Sequence, residues 1–276
     1  MDVLLVERGL AESRAKAQAM IMAGQVRVAD QVTLKPATTI PADAVLMVDT
    51  GPRFVSRGGE KLDAALEAFG IDMTGWVCAD VGASTGGFTD CLLQRGAEKV
   101  YAIDVGKGIL HWKLRNDPRV VVMEQTNARY VESLPEQVSL VTVDASFISL
   151  KILLPVVKKW LFPPFDEAQG KLSSFSDEKE KTKGERSGVI ALIKPQFEAG
   201  RKDVARGDGV IRDPEIHKQV LLGILSFAQQ AEFRIRRLIK SPLLGPKGNA
   251  EFLVWLDTSP GDEDAEELSQ LIESVV

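Results

Sequence analysis

The sequence predicts an α/β fold, in which a mostly parallel sheet is covered by helices and follows a small N-terminal α+β unit. After residue 56, short apolar runs typical of buried strands alternate with helical patterns, which favours a parallel sheet with helices on both faces. Before residue 49 the pattern is different, because two short helices precede a group of short strands. Gly51 and Pro52 interrupt the chain between the two patterns and indicate a linker.

Residues 1–48 are expected to form the small unit, and residues 49–55 the linker. A short helix begins near Val3, and Ser13 is a good N-cap for a second helix that ends at Gly24. Three short stretches that follow predict strands. They cover residues 26–28, 32–34 and 44–48.

Residues 56–257 are expected to hold the larger sheet. A helix with one apolar face starts at Lys61, and an amphipathic helix covers residues 215–230. Apolar runs predict the strands. They cover residues 76–81, 99–103, 120–123, 139–144, 188–193, 233–239 and 252–256. The polar, aperiodic stretch 166–187 predicts a mobile insertion, and residues 258–276 predict an acidic tail with a short helix.

The composition indicates a soluble globular protein, with 45% apolar and 26% charged residues. The net charge of −5 is local in origin, because residues 257–276 carry seven acidic side chains and no basic one. Without them, 34 basic residues face 32 acidic ones, so basic patches can still contact phosphates. No apolar run reaches the ~18 residues of a membrane span, and no signal peptide is visible, so a cytoplasmic location is expected. Cys78 and Cys91 are expected to be buried free thiols.

The central motif of the larger unit is Asp-Val-Gly-Ala-Ser-Thr-Gly-Gly-Phe-Thr-Asp, which runs from Asp80 to Asp90. It reads as a strand, a glycine-rich turn and a helix. The glycines let a ligand approach the backbone, and the helix N-terminus offers unpaired N–H groups. The spacing differs from the G-x-G-x-x-G of dinucleotide sites, and the carboxylate of Asp80 would repel a pyrophosphate but suits a cation.

A second acidic residue, Asp104, ends the next strand, where it can bind a pair of ribose hydroxyls, and Asn127 is the candidate contact for an adenine edge. An acid, a glycine turn and a second acid form the layout expected for S-adenosylmethionine, which combines a sulfonium, an amino acid and a ribose without a phosphate. An ordinary turn of a doubly wound sheet is the alternative. The predicted cofactor-binding residues are Asp80, Gly82, Ala83, Ser84, Thr85, Gly86, Gly87, Phe88, Asp104, Val105, Asn127 and Asp144.

Four ionisable residues lie at element ends around this turn: Lys61, Asp144, Lys194 and Glu251. Because ligands bind at the carboxyl ends of parallel strands, we expect these side chains to meet there. Methylating an alcohol needs a deprotonated hydroxyl, and an ammonium beside the developing alkoxide lowers the cost. Nearby carboxylates would orient the lysines. Taken singly, each residue is more often a surface charge or a structural ion pair, and spacing alone leaves Glu232 as an alternative to Glu251.

The N-terminal unit contains the string Ser-Arg-Ala-Lys-Ala from Ser13, followed by Met-Ile-x-x-Gly-x-Val-x-Val from Met20. This string resembles the S-four-like RNA-binding domain, in which two helices and a small sheet present basic residues to structured RNA. The resemblance implies an RNA-binding domain, and basic residues at a helix start suit phosphates. A small helical cap with solvated charges is the alternative. The candidate RNA-binding residues are Ser13, Arg14, Lys16, Arg27, Arg53 and Arg57.

The motif from Asp80 to Asp90, with Val-Ser-Arg-Gly-Gly-x-Lys-Leu from Val55 upstream, resembles the TlyA or haemolysin-A family. Its members are ribosomal RNA 2′-O-methyltransferases, and the resemblance covers all but the insertion and the acidic tail. It implies a Rossmann-like S-adenosylmethionine-dependent methyltransferase that modifies cytidine ribose in ribosomal RNA. Thr85 stands where FtsJ usually has proline. The Lys-Asp-Lys-Glu catalytic set of FtsJ-like enzymes falls on Lys61, Asp144, Lys194 and Glu251.

Other activities fit the sequence less well. Methylation of cytosine C5 needs a nucleophilic cysteine near the site, and neither Cys78 nor Cys91 is expected there. Amine methylation often uses an Asp/Asn-Pro-Pro-aromatic turn, where this chain has Asp-Ala-Ser-Phe from Asp144. His111 and His217 lack partners at metal spacing, so no metal is expected. Two different classes of protein stay open: a non-catalytic RNA-binding ribosome-assembly factor, and a membrane-acting haemolysin, which no spanning segment supports.

Overall fold

The computed structural model describes residues 1–49, 51–162, 187–200, 209–259 and 265–276. These residues form two compact units, Met1–Arg53 and Phe54–Val276. The predicted insertion at residues 166–187 lies outside the described residues except for Ser187. Among the helices that are described, none has the length and apolar character needed to cross a membrane.

The first unit consists of two helices and a three-stranded antiparallel sheet in which β1 is central. Its elements are α1 (Asp2–Glu7), α2 (Arg14–Met22), β1 (Val26–Val28), β2 (Gln31–Val32) and β3 (Leu46–Val48). The hydroxyl of Ser13 caps α2 by accepting a hydrogen bond from the Lys16 amide at 3.2 Å, as its sequence position predicts. Leu5, Ala17 and Ile21 pack together in a small apolar core.

The second unit is a seven-stranded sheet with helices packed on it, which confirms the predicted α/β fold. Its strands are β4 (Val77–Val81), β5 (Lys99–Ile103), β6 (Val120–Met123), β7 (Leu140–Val143), β8 (Gly188–Ile193), β9 (Arg234–Lys240) and β10 (Phe252–Asp257). Its helices are α3 (Gly58–Phe69), α4 (Gly87–Gln94), α5 (Trp112–Arg115), α6 (Leu150–Val157), α7 (Pro195–Glu198), α8 (Pro214–Gln230) and α9 (Ala265–Glu273).

The strand order β6-β5-β4-β7-β8-β10-β9 positions the candidate site. Strands β4 to β8 pair in parallel, whereas β10 runs antiparallel to both of its neighbours. The order reverses between β4 and β7, and ligands of such sheets bind at the carboxyl ends of the strands beside this reversal. Gly82 follows β4 and Asp144 follows β7, so the predicted turn and the predicted catalytic acid both lie at this point.

Two predicted domain boundaries, those of the linker and of the acidic tail, differ from the structure because apolar side chains from both segments are buried in the core of the second unit. Phe54, which the sequence placed in the linker, is only 3% exposed and packs against Gly59 in the second unit. Helix α9 lies in the predicted acidic tail, yet Leu268 and Ile272 are buried in the same apolar cluster as α8. The described part of the tail therefore belongs to the second unit, and its acidic residues occupy the outer side of a packed helix.

Candidate functional site

The glycine turn brings the ends of β4 and β7 together at a distance that only glycine allows. Gly82 has a φ of +83°, and a Cβ there would lie 2.7 Å from the carbonyl oxygen of Asp144. At Gly87, the first residue of α4, a Cβ would lie 2.3 Å from the Ser56 hydroxyl. Both glycines are needed for close approach of backbone segments, so the turn holds the residues around it in a fixed arrangement.

A cavity of about 220 Å³ opens beside this turn, at the start of α3 and α4. Of the predicted cofactor-binding residues, its walls include Gly82, Ala83, Ser84, Thr85, Gly87, Phe88 and Asp144. Lys61 and the exposed Arg57 also line it. Ser56, Gly58 and Pro246 complete the wall, and none of them was predicted as a site residue. Ser56 and Gly58 belong to the motif that starts at Val55, whereas Pro246 comes from a loop without a motif. We call this space the reaction cavity.

A second cavity of about 290 Å³ lies over the ends of β5 and β6, and we call it the nucleoside cavity. Asp104, Val105, Asn127 and Asp144, all predicted, line it together with the apolar side chains of Ile109, Ala128, Ile148 and Leu153. Both carboxylate oxygens of Asp104 accept backbone hydrogen bonds, from Ser84 at 2.8 Å and from Gly106 at 2.7 Å, which fixes the carboxylate at the strand end. Because Gly82, Ser84 and Asp144 line both cavities, the two spaces adjoin.

Two ion pairs meet at the reaction cavity. The ammonium of Lys61 lies 2.5 Å from the Glu251 carboxylate, and that of Lys194 lies 2.6 Å from Asp144 and donates to the Ser146 hydroxyl at 3.0 Å. Lys61 and Asp144 face the cavity, whereas Lys194 and Glu251 stand behind them and hold them in place. Lys61, Lys194 and Glu251 are each at least nine-tenths buried.

The alternative acid, Glu232, lies elsewhere in the structure. Its side chain is 87% exposed and pairs with Lys158 at 2.8 Å, outside both cavities. Glu251 instead sits at the start of β10, next to β8, which carries Lys194 at its end. The structure therefore brings together the four residues Lys61, Asp144, Lys194 and Glu251, and it does not bring Glu232 to them.

Two of the predicted cofactor contacts, Asp80 and Gly86, stand behind the turn and line neither cavity. Asp80 is fully buried, and its carboxylate accepts hydrogen bonds from the hydroxyls of Thr89 at 2.7 Å and Thr142 at 3.0 Å. It thus ties β4 to α4 and β7 instead of facing a cation. At Gly86 a Cβ would overlap the side chain of Leu114, so this glycine serves the packing of the turn on its inner side.

Asp80 also links stability to pH. Burial raises the pKa of its carboxyl to about 7, although the hydrogen bonds from Thr89 and Thr142 act in the opposite direction. An unfolded chain releases this proton near pH ~4, so the folded protein holds one more proton between about pH 4 and pH 7. Raising the pH through this range therefore removes stability that is present at lower pH.

An Asp80→Asn variant isolates this effect, because it removes the titrating group and keeps the side-chain volume. We expect the free energy of unfolding of the wild type, measured relative to the variant, to fall by about 2 kcal/mol between about pH 5 and pH 7. Urea titrations of both proteins at the two pH values measure the difference. A difference that stays constant with pH would mean that Asp80 titrates with its ordinary pKa.

One aromatic residue of the nucleoside cavity was not predicted from the sequence. Phe147 lines the cavity, is 90% exposed, and has the left-handed φ of +64° that side chains rarely adopt. Its ring centroid lies 4.9 Å from that of Phe197. The sequence showed Phe147 only as part of a turn that fails to match amine methyltransferases, and nothing in the local pattern signalled its exposure.

In the first unit, the candidate RNA-binding residues have different surroundings. The hydroxyl of Ser13 is occupied as the cap of α2. Arg14 pairs with Asp2 at 2.7 Å, and this contact, with a hydrogen bond from Gln18, lowers the pKa of Asp2 to about 2. Arg14 keeps 68% of its side chain exposed in this pair, and Lys16, Arg27 and Arg53 also lie on the exposed surface.

A metal-binding site is not seen in the part of the chain that the structure describes. There, no three or more His, Cys, Asp or Glu side chains are grouped so that they could hold a metal ion. The histidine of α8, His217, contacts the carbonyl of Ile211 at 3.1 Å, and burial lowers the pKa of its ring. Its neutral ring therefore serves the packing of α8.

Two family models match consecutive parts of the chain. The model of the FtsJ-like methyltransferases matches residues 54–258, and the model of the S4 domain matches residues 1–46. These ranges agree with the two compact units of the structure.

Relatives match over almost the whole length. The YqxC protein of Bacillus subtilis, provisionally described as an rRNA methyltransferase, is 43% identical over 98% of this chain and 89% of its own. The 16S/23S rRNA (cytidine-2′-O)-methyltransferase TlyA of Mycobacterium tuberculosis is 44% identical over 94% of this chain and 89% of its own. A solved structure from Streptococcus thermophilus, provisionally described as a hemolysin, is 38% identical and superposes with a TM-score of 0.68 over 99% of this chain and 94% of its own.

Proposed function

The chain belongs to the family of FtsJ-like methyltransferases and carries an S4 domain at its N-terminus, and we propose that it methylates a ribose 2′-hydroxyl of ribosomal RNA. The observation that carries this proposal is the meeting of two lysine–carboxylate pairs at the reaction cavity beside the glycine turn. A cytidine acceptor is part of the proposal and rests on the relative from Mycobacterium tuberculosis, which is named for that nucleoside.

The two adjoining cavities fit S-adenosylmethionine, which supplies an electrophilic methyl group when it is bound. Asp104 lies where it can accept hydrogen bonds from the ribose hydroxyls, and the apolar wall with Ile109 and Leu153 suits an adenine ring. Gly82 lines both spaces, and the lack of a Cβ there lets the backbone of Asp144 approach the turn closely. Asp144 lines both spaces, so a group bound in one cavity is within reach of the other.

In this proposal, Lys61 and Asp144 act on the acceptor hydroxyl. A ribose hydroxyl is a weak acid, and the ammonium of Lys61 stabilises negative charge that develops on its oxygen. The carboxylate of Asp144, held by Lys194, accepts or orients the hydroxyl proton. Glu251 fixes the ammonium of Lys61 at the cavity wall, so the lysine does not need to reorganise when the oxygen becomes charged.

The nucleic-acid substrate is supported by features of both units. The S4 domain exposes Lys16 and Arg27, which can contact phosphates. In the catalytic unit, Arg57 lines the reaction cavity, and the exposed ring of Phe147 suits stacking on an unpaired base. Because ribosomal RNA is found in the cytoplasm, we infer that the protein acts there.

Removing two exposed basic side chains of the S4 domain should weaken RNA binding in a salt-dependent way. The binding constant for RNA falls as the salt concentration rises, and each phosphate contact contributes about 0.7–0.9 to the magnitude of the slope of log K against log salt concentration. For a Lys16→Ala, Arg27→Ala double variant, we therefore expect this magnitude to be smaller by about 1 to 2. Filter binding to ribosomal RNA at several salt concentrations measures the slope. Lys35→Ala, which removes an exposed lysine outside α2 and β1, is the control. Equal slopes for the double variant and the wild type would remove these side chains from the RNA interface.

The class of acceptor can be tested with methyl-labelled S-adenosylmethionine and isolated ribosomal subunits. We expect label in the RNA fraction after the proteins are extracted, and none when the RNA has been digested beforehand. Label in ribosomal protein would overturn the proposal. RNA binding without any transfer would favour a non-catalytic assembly factor.

A further inference from the structure

Two segments of the second unit, residues 144–150 and 194–198, are joined along their whole length. At one end, Lys194 contacts Asp144 and Ser146. In the middle, the rings of Phe147 and Phe197 pack with their centroids 4.9 Å apart. At the other end, Glu198 binds the start of α6. The first segment forms a wall of the nucleoside cavity, and the second lines neither cavity.

Glu198 makes the third contact with both of its carboxylate oxygens. Oε1 accepts a hydrogen bond from the Leu150 amide at 2.8 Å, and Oε2 accepts one from the Ser149 hydroxyl at 2.6 Å. The Leu150 amide is one of the α6 N–H groups that lack a partner within the helix, and a negative charge at this end is favoured by the helix dipole. Hydrogen bonds to a charged acceptor are stronger than neutral ones, so Glu198 is a firm anchor for this helix end.

The segment between the anchors needs such support. Phe147 has a φ of +64°, and a bulky side chain in this left-handed conformation persists only when its surroundings hold it. Its ring is 90% exposed, so few packing contacts are available to stabilise this conformation. The holding contacts are those to α7: Phe197 beside the ring, and Glu198 at the end of the turn.

We propose that Glu198 is a positioning residue, which holds residues 145–148 as the wall of the nucleoside cavity and keeps the Phe147 ring in its exposed position. It acts through Ser149 and the Leu150 amide without touching cofactor or RNA. The proposal rests on the methyl transfer proposed above for the role of the wall, whereas the anchoring itself concerns only residues of this chain.

A Glu198→Ala variant of the full-length protein tests this role, with Glu198→Gln as the conservative variant. The amide oxygen of glutamine can still accept from Leu150, so this variant should retain most of the function. The matched control is Asp213→Ala, since Asp213 also caps a helix with its carboxylate, accepting from the Glu215 amide at 2.9 Å, and lines neither cavity. The readouts are amide hydrogen exchange of residues 145–150, affinity for S-adenosylmethionine, and kcat and KM for methyl transfer.

For Glu198→Ala we expect exchange in residues 145–150 to accelerate about tenfold, and cofactor affinity and kcat/KM for RNA to fall by a similar factor. Glu198→Gln should lie close to the wild type, and Asp213→Ala should change none of the three readouts although it loses a cap. Equal exchange and kinetics for Glu198→Ala and Asp213→Ala would overturn the proposal. If the wild type transferred no methyl group, the exchange and affinity measurements would still decide whether Glu198 anchors the wall.

Discussion

Replacing Lys61 with methionine is expected to lower the rate of methyl transfer by about 10²–10⁴-fold, because its ammonium stabilises the acceptor oxygen as it becomes charged. Steady-state kinetics with saturating S-adenosylmethionine and ribosomal RNA measure this loss in kcat. Affinity for the cofactor should change little, since the residues that fit its ribose and adenine line the other cavity.

The single variant leaves Glu251 buried without its partner, which destabilises proteins by about 3–5 kcal/mol. A Lys61→Met, Glu251→Gln double variant removes both charges and separates folding from catalysis, because neutral replacements of a buried pair are tolerated. It should fold and remain as inactive as the single variant. The matched control is Lys158→Met, Glu232→Gln, which removes another lysine–glutamate pair outside both cavities and should keep full activity. A double variant at Lys61 and Glu251 with wild-type kcat would exclude this pair from catalysis.

The second large effect is expected at Gly82. An alanine there has the strain of a left-handed φ, about 1–2 kcal/mol, and its Cβ would also lie 2.7 Å from the Asp144 carbonyl oxygen. The β7 end must move to relieve this overlap, at a further cost of about 1–3 kcal/mol. Asp144 moves with it, so both cofactor affinity and transfer should fall by about tenfold or more. Urea unfolding and cofactor titration of Gly82→Ala give the two values.

Gly75→Ala separates steric overlap from backbone strain. Gly75 has a φ of +75°, close to that of Gly82, but a Cβ there would meet no atom within 4 Å. It should therefore lose only about 1–2 kcal/mol and keep the cofactor affinity of the wild type. Similar losses of affinity in the two variants would show that the approach of β4 to β7 is not what shapes the site.

The sequence predicted the sheet well because its strands are buried runs separated by helical patterns, and the carboxyl ends of such strands form one edge. Asp104 and Asp144, which this rule singled out, line the cavities at that edge. The surroundings of Asp80 could not be predicted in this way, because a pattern of apolar residues does not show that the carboxylate accepts hydrogen bonds from Thr89 and Thr142. The sequence assigned α9 to a separate tail for a similar reason. Acidic residues dominate the composition of that stretch, but Leu268 and Ile272 are buried in the core.

The pairing within the catalytic cluster could not be predicted from spacing. Lys61 and Glu251 are 190 residues apart and meet because β10 inserts antiparallel between β8 and β9. Glu232 stands before β9, whose start pairs with the end of β10, so it lies at the opposite edge of the sheet, where it binds Lys158. The exposure of Phe147 could not be predicted either, because it depends on a left-handed backbone that the distant residues Phe197 and Glu198 hold in place.

We propose that the two lysine–carboxylate pairs direct a methyl group to a sugar oxygen. This role can be measured by mass spectrometry of nucleosides from ribosomal RNA that has been treated with the protein and isotope-labelled S-adenosylmethionine. We expect a labelled 2′-O-methylated cytidine, which should be missing when the Lys61→Met, Glu251→Gln variant is used. Label on a base, or an unchanged 2′-O-methyl product with that variant, would rule this role out.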